Sequence, residues 1–192
     1  MRVFSVGFAF LALGIAACNV PTNTGDAGAP PPSQASAPQP EGNLVQVMRG
    51  ILFPNSNIIF DTQTKDPDAP PPKVDKSGPG AGATATYAAV YTGWQVVENS
   101  AVALAEAANL IMIPRRLCEN GKPVPLNRDD FKKYAEGLRE AGRAALKAAQ
   151  SKNLDAMVEV SGTVADACAA CHEVYRDKGP AGSPERCAVP VP

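Results

Sequence analysis

Residues 168–176 read Cys-Ala-Ala-Cys-His-Glu-Val-Tyr-Arg, at the end of a segment with helical apolar spacing. Two cysteines separated by two residues and followed by histidine form the C-x-x-C-H pattern, in which two thiols attach a haem and the imidazole binds its iron. His172 is the only histidine among 192 residues. The stretch predicts one covalent haem c, attached through Cys168 and Cys171 and ligated by His172.

Two other chemistries use a C-x-x-C pair. A redox dithiol of the thioredoxin type belongs near a junction of strand and helix, whereas this pair lies inside a helical pattern. A zinc site needs four nitrogen or sulfur ligands, and the chain has no second histidine and no second C-x-x-C pair. Haem attachment is therefore the favoured interpretation.

Four segments repeat apolar residues at spacings of three and four, which is typical of helices that bury one face. Pro54 interrupts the first, and we expect it to kink or break that helix. Asn127 is the expected N-cap of the third, and the fourth should end before Gly179. No segment is convincing as a strand. We therefore predict an all-α, antiparallel four-helix bundle with covalently attached haem within residues 42–192.

Each segment has its own set of expected core positions. In chain order these are Leu44, Met48, Ile51, Asn55 and Ile58; Tyr87, Val90, Trp94, Val97, Ala101, Leu104, Ala108 and Ile111; Phe131, Tyr134, Leu138, Ala141, Ala145 and Ala148; and Leu154, Met157, Ser161, Val164, Cys168, Cys171 and Tyr175.

A four-helix bundle with C-x-x-C-H near the end of its last helix resembles the cytochrome c-prime family, the class II c-type cytochromes. In that family the motif commonly continues as C-x-x-C-H-x-x-Tyr/Phe-Arg, which residues 168–176 match, and residues 45–49 resemble the family's first helix. The resemblance covers residues 42 to about 178. This chain departs from it in a long Pro/Gly-rich loop, in Pro54 and in the tail after Gly179. Relatives often dimerise, so the resemblance implies that a homodimer can form.

Met48 is the candidate ligand on the other side of the iron. In an up-down-up-down bundle the first helix starts where the fourth ends, and the rise per residue puts Met48 and His172 ~8 Å and ~9 Å from that end. Some family members have methionine at the matching position and are six-coordinate; others have an apolar residue and an open site. The alternative for Met48 is a core side chain, since methionine fills gaps well.

The remaining cysteines also meet at this end of the predicted bundle. Cys118 follows the second helix and Cys187 follows the fourth. In an oxidising compartment we expect a disulfide between them, with two free thiols as the alternative.

Four arginines are expected at the same end and could pair with haem propionates, because guanidinium groups match carboxylate geometry. Arg49 and Arg176 are preferred over Arg115 and Arg116, because they neighbour the two candidate ligands. The net charge of −1 gives no large field for attracting nucleic acid. No nucleotide-binding loop, Ser-His-Asp set or spare histidine is present, so we do not expect an enzyme.

The first 41 residues read as a leader and a tether. Residues 1–17 have the basic start, short apolar run and small residues of a secretory signal, and the run is too short to span a membrane. Residues 15–18, Ile-Ala-Ala-Cys, resemble a bacterial lipobox, which implies lipidation of Cys18; Asn19 favours the outer membrane. Ordinary cleavage nearby, with Cys18 incidental or removed, is the alternative. Residues 18–41 are rich in Pro and Ala and predict an extended tether.

Three functions are compatible with these features in a lipid-anchored periplasmic protein. The first is single-electron transfer to redox partner proteins of the cell envelope. The second is binding of nitric oxide or carbon monoxide at an open iron, as in five-coordinate relatives. The third is a haem-bearing subunit of a larger respiratory complex.

Overall fold

The computed structural model describes residues 38–70 and 92–187. Its helices are α1 (Leu44–Val47), a π-helical turn (Met48–Leu52), α2 (Phe53–Asp61), α3 (Gly93–Ile111), α4 (Asp129–Gln150) and α5 (Leu154–Tyr175). Because α1, the π turn and α2 follow one another without a break, the described residues form four helices and no strand. The all-α four-helix prediction is confirmed.

Several sequence predictions concern residues outside those described. They include the signal at 1–17, Cys18, the tether up to residue 37, and the first two expected core positions of the second helix, Tyr87 and Val90. Among the described helices, none has the length and apolar character needed to cross a membrane.

Neighbouring helices run antiparallel. Residues 151–153 alone connect α4 to α5, which leaves room only for a reversal of direction. Between α3 and α4, Arg139 donates a 3.0 Å hydrogen bond to Asn109, and Gly142 lies against Ala105. Residue numbers therefore increase along α4 as they decrease along α3. The N–H of Leu44 donates a 2.8 Å hydrogen bond to the carbonyl of residue 117, just beyond α3. The start of α1 therefore meets the end of α3.

The core follows the predicted stripes of α3, α4 and α5. Every expected position of α3 from Trp94 to Ile111 is buried. The expected positions of α4 and α5 are buried too, except for four that are half-buried: Tyr134, Leu154, Cys168 and Cys171. The main core contains buried side chains from all four helices, among them Ile59, Leu104, Leu138 and Met157.

The first helical segment departs from its prediction. The chain stays helical from Leu44 to Asp61, so Pro54 does not break the helix; the backbone instead widens into a π turn just before it. The expected stripe of this segment is only half-buried, although four of its members pack against the main core: Leu44, Met48, Ile51 and Ile58. The fully buried positions are instead Val47, Leu52, Ser56 and Ile59. Spacings of three and four cannot hold across a π turn, which contains an extra residue.

Two helix ends differ from expectation by a few residues. The residue that caps α4 is Arg128 rather than Asn127, and α5 ends at Tyr175, earlier than predicted. His172 consequently lies three residues from the end of its helix, or ~4.5 Å at the α-helical rise. The start of α5 is capped by Asn153, whose side chain accepts a 2.9 Å hydrogen bond from the N–H of Ala156.

The tail after α5 is fastened to the same end of the bundle. Cys118 and Cys187 form the disulfide that the sequence predicted, with Cα atoms 6.5 Å apart. The Asn120 amide donates a 2.9 Å hydrogen bond to the carbonyl of Ser183, and the N–H of Cys187 donates one of 2.9 Å to the carbonyl of Tyr175. The end of α5 is therefore tied to the loop between α3 and α4.

Candidate haem-binding site

The C-x-x-C-H residues lie on the last two turns of α5. Positions 168, 171 and 172 are separated by three, one and four residues, so a helix of 3.6 residues per turn sets them on one side. Cys168 and Cys171 are free thiols, and both they and His172 are half-buried. Two thiols one turn apart beside an imidazole suit attachment to one flat porphyrin.

Two apolar clusters support this part of α5. Cys168 packs against the main core, whereas Cys171 packs against a smaller group at the end of the bundle, which we call the end cluster. Its buried members are Cys118, Val124, Phe131, Tyr175 and Cys187. The two thiols thus lie where the main core meets the end cluster.

Burial sets the protonation of these groups. It raises the pKa of the Cys171 thiol to about 12, with smaller contributions from Cys168 and Asp130, and it also raises the pKa of Cys168. Burial likewise lowers the pKa of His172, helped by the charge of Arg176. The imidazole is therefore neutral at pH 7, the form in which a ring nitrogen can bind iron.

Tyr175 connects the end of α5 to the start of α4, through residues that sequence reasoning missed. Its hydroxyl donates a 2.9 Å hydrogen bond to Oδ1 of Asp130 and accepts one of 3.0 Å from Nε of Arg128. Arg128 also contacts both carboxylate oxygens of Asp130 at 2.9 Å. Arg128 first, and then the Tyr175 hydroxyl and the N–H of Phe131, hold the pKa of Asp130 at about 2, below its ordinary 3.8.

Met48 is the first residue of the π turn. Its side chain is half-buried and packs against the main core, as does that of Cys168. The carbonyl of Met48 accepts the N–H of Phe53, the five-residue hydrogen bond that defines the turn. Ligation of iron by Met48 stays a prediction.

The preferred propionate candidates are paired within the chain. Arg49, whose side chain is 68% exposed, lies 3.6 Å from the Glu119 carboxylate. Arg176 donates a 2.6 Å hydrogen bond to its neighbour Asp177. Ion pairs at such exposure contribute little energy, so either guanidinium could exchange its partner for another carboxylate. Their proposed contact with propionates stays a prediction.

Arg116, the less favoured candidate beside Arg115, is instead buried in the fold. Its Nε donates a 2.9 Å hydrogen bond to the carbonyl of Leu110, and its Nη1 donates one of 2.5 Å to that of Gly42. Burial lowers the pKa of this guanidinium. Arg116 therefore joins the end of α3 to the residues before α1.

The donor set fits haem c. Two protonated thiols can add to two vinyl groups, and the adjacent neutral imidazole can ligate the iron. Across residues 38–70 and 92–187, no group of three or more His, Cys, Asp or Glu side chains is arranged to hold a bare metal ion.

Comparison with known families gives independent support. The family described as Cytochrome C' matches residues 124–176, from the loop before α4 to the residue after α5. The match confirms the resemblance to the cytochrome c-prime family and supports a c-type haem protein. It includes Cys168, Cys171, His172 and the three side chains that join α4 to α5. No curated protein and no solved structure gives a significant match.

Proposed function

We propose that this chain is a monohaem c-type cytochrome of the cytochrome c-prime type, which transfers single electrons in the bacterial cell envelope. One observation carries the proposal: two free thiols stand one helical turn apart on α5, with the only histidine next to the second. The family match covers all of these residues.

The haem would supply a centre that gains and loses one electron, and the chain's residues would hold it. Cys168 and Cys171 would form the two thioether bonds, and a ring nitrogen of His172 would ligate the iron. The sulfur of Met48 would be the second protein ligand of the iron. A methionine opposite a histidine raises the reduction potential, and a filled ligand set needs little rearrangement when the redox state changes.

The scaffold around His172 supports this role. The last turn of α5 is held by the Tyr175 hydroxyl, by the Cys187 N–H and by the disulfide. A ligand on a helix that is fixed on several sides keeps its position better than a ligand on a loop. Such rigidity favours electron transfer, in which the ligands should move little.

Optical spectra of the haem-loaded protein test the ligand assignment. We expect a low-spin oxidised spectrum that becomes high-spin in Met48→Ala, with a lower reduction potential. Met112→Ala is the matched control, because Met112 is also half-buried and packs on both clusters. It should leave the spectrum low-spin. An unchanged low-spin spectrum in Met48→Ala would exclude Met48 as the ligand.

The same spectra separate the two main functions. A high-spin spectrum of the unsubstituted oxidised protein would favour binding of nitric oxide or carbon monoxide at an open iron. Co-purification with a membrane oxidoreductase would favour the third function, a subunit of a respiratory complex. Crosslinking in whole cells and sizing of the purified protein would test the proposed redox partners and the homodimer.

We further propose that a lipid on Cys18 anchors the protein to a membrane facing the periplasm, with the outer membrane favoured. The lipobox-like residues 15–18 support the anchor, and the Cys118–Cys187 disulfide is a bond that persists in oxidising compartments. Cells fed labelled palmitate should label the protein, and Cys18→Ser should abolish the label. Label retained in Cys18→Ser would contradict the anchor.

A further inference from the structure

The buried positions of the first helical segment have an unusual spacing. Val47, Leu52, Ser56 and Ile59 are buried, at intervals of five, four and three residues. The interval of five spans the π turn. The π turn thus inserts one residue into the stripe that faces the core, and α1 is rotated about the helix axis relative to α2.

The size of that rotation follows from helix geometry. One residue turns an α-helix by about 100°. In a regular α-helix extended backward from Leu52, the residue four positions earlier is Met48, so Met48 would lie at the core and Val47 on the opposite face. In the structure Val47 occupies the core instead, and Met48 lies beside it at a half-buried edge.

Pro54 and Asn55 account for the π turn. Proline has no N–H to donate to the carbonyl of Gly50, and in an α-helix its ring would clash with that carbonyl. The Asn55 side chain donates a 2.7 Å hydrogen bond to the carbonyl of Ile51, which lies within the turn. Pro54 therefore disfavours the α-helical arrangement, and Asn55 hydrogen-bonds a carbonyl of the π turn.

We infer that Pro54 and Asn55 are positioning residues for the iron ligand. Through the π turn they move Met48 out of the core stripe to a half-buried position, and Cys168, Cys171 and His172 are half-buried as well. Without the turn, Met48 would take the core position that Val47 now fills. This inference rests on the proposed ligation by Met48. Single π turns inside α-helices occur frequently at functional sites.

The test combines a double substitution with a compensating deletion. Pro54→Ala with Asn55→Ala provides a backbone N–H at position 54 and removes the side-chain bond to Ile51, so the segment can become α-helical throughout. We expect Met48 to turn into the core, and the ratio of low-spin to high-spin iron to fall ~10-fold or more, as for other changes in residues that support a metal ligand.

Deletion of Gly50 from the double variant should reverse this effect. Gly50 is exposed, so its deletion removes no buried side chain. Its removal shortens the Val47–Leu52 interval to four, which suits an α-helix and returns Val47 to the core. The low-spin spectrum should be restored. A merely structural effect of the substitutions would not be rescued by losing a further residue.

Pro114→Ala, at an exposed proline beyond α3, is the control and should leave the spectrum unchanged. A crystal structure of the double variant provides a second readout, since it shows whether the N–H of position 54 bonds to residue 50, as in an α-helix, or to residue 49, as in a π turn that persists.

A low-spin spectrum in the double variant, a π turn that persists in its crystal structure, or a deletion that fails to restore the spectrum would each overturn the inference. A high-spin spectrum of the unsubstituted protein would contradict ligation by Met48, while the crystal structure of the double variant would still decide whether Pro54 and Asn55 impose the turn.

Discussion

The hydroxyl of Tyr175 donates a 2.9 Å hydrogen bond to Asp130, which joins the last residue of α5 to the first turn of α4. The Tyr175 ring packs edge-on against Phe131 and Tyr134, at centroid distances of 5.3 Å and 6.3 Å. His172 lies one helical turn before this joint. The contacts that close the end of the bundle therefore also fix the turn that carries the candidate iron ligand.

Tyr175→Phe keeps the ring and removes the hydroxyl. We expect a loss of about 1–2 kcal/mol in the free energy of unfolding, because Asp130 and Arg128 each lose a largely buried partner. Urea unfolding of the haem-loaded protein measures it. Tyr134→Phe is the control, since the Tyr134 hydroxyl makes no hydrogen bond within the described residues, and it should change stability little. Equal effects of the two substitutions would contradict the role of the Tyr175 hydroxyl.

The lowered pKa of Asp130 predicts that part of the stability of the protein is lost in acid. Folding lowers its pKa from 3.8 to about 2, so the carboxylate stabilises the fold fully above the unfolded value. That contribution is lost as the pH falls from 3.8 through 2. The urea midpoints of the unsubstituted protein and of Asp130→Asn should therefore converge as the pH falls through this window. Curves that stay parallel would show that Asp130 is not coupled to folding.

Two glycines of α4 make a matched pair. A Cβ on Gly142 would lie 2.6 Å from the backbone nitrogen of Ala105, whereas a Cβ on Gly137 would meet no atom within 4 Å. Gly142→Ala should cost about 1–3 kcal/mol by forcing α3 and α4 apart. Gly137→Ala should stabilise the helix by up to about 1 kcal/mol. Thermal unfolding compares the two, and a neutral Gly142→Ala would contradict the close helix contact.

Removal of the disulfide should weaken the fold and leave haem attachment intact. The bridge links residues 69 positions apart, and a loop of that length corresponds to about 4 kcal/mol of stabilisation. Cys118→Ser with Cys187→Ser should lower the free energy of unfolding by up to that amount in denaturant titration. The variant should still carry one haem by mass. Unchanged stability would mean that the tail is held by its hydrogen bonds alone.

The sequence was sufficient for the regular part of the bundle. Buried stripes in α3, α4 and α5 follow the 3.6-residue period, because those helices contain no proline and bury one continuous face. The same period failed in the first segment. A proline there signals a disturbed helix, but the wider turn that replaces the expected break depends on which side chains the other helices then bury.

The sequence predicted the part of the site whose residues are neighbours along the chain. The C-x-x-C-H residues are contiguous, so their pattern could be found without a structure. The contact of Tyr175 with Asp130 joins positions 45 residues apart. Topology indicates only that both lie at the same end of the bundle, and pairing at a distance of 2.9 Å depends on the angle between α4 and α5. The burial of Arg116 likewise depends on how the loop after α3 folds back.

The most direct test of the account is the mass and absorbance of the denatured protein after expression with the bacterial c-type maturation machinery. We predict that unfolded protein keeps its colour and carries the added mass of one haem, and that replacing both Cys168 and Cys171 by alanine abolishes both signals. A colourless unfolded protein without added mass would contradict haem attachment through these cysteines.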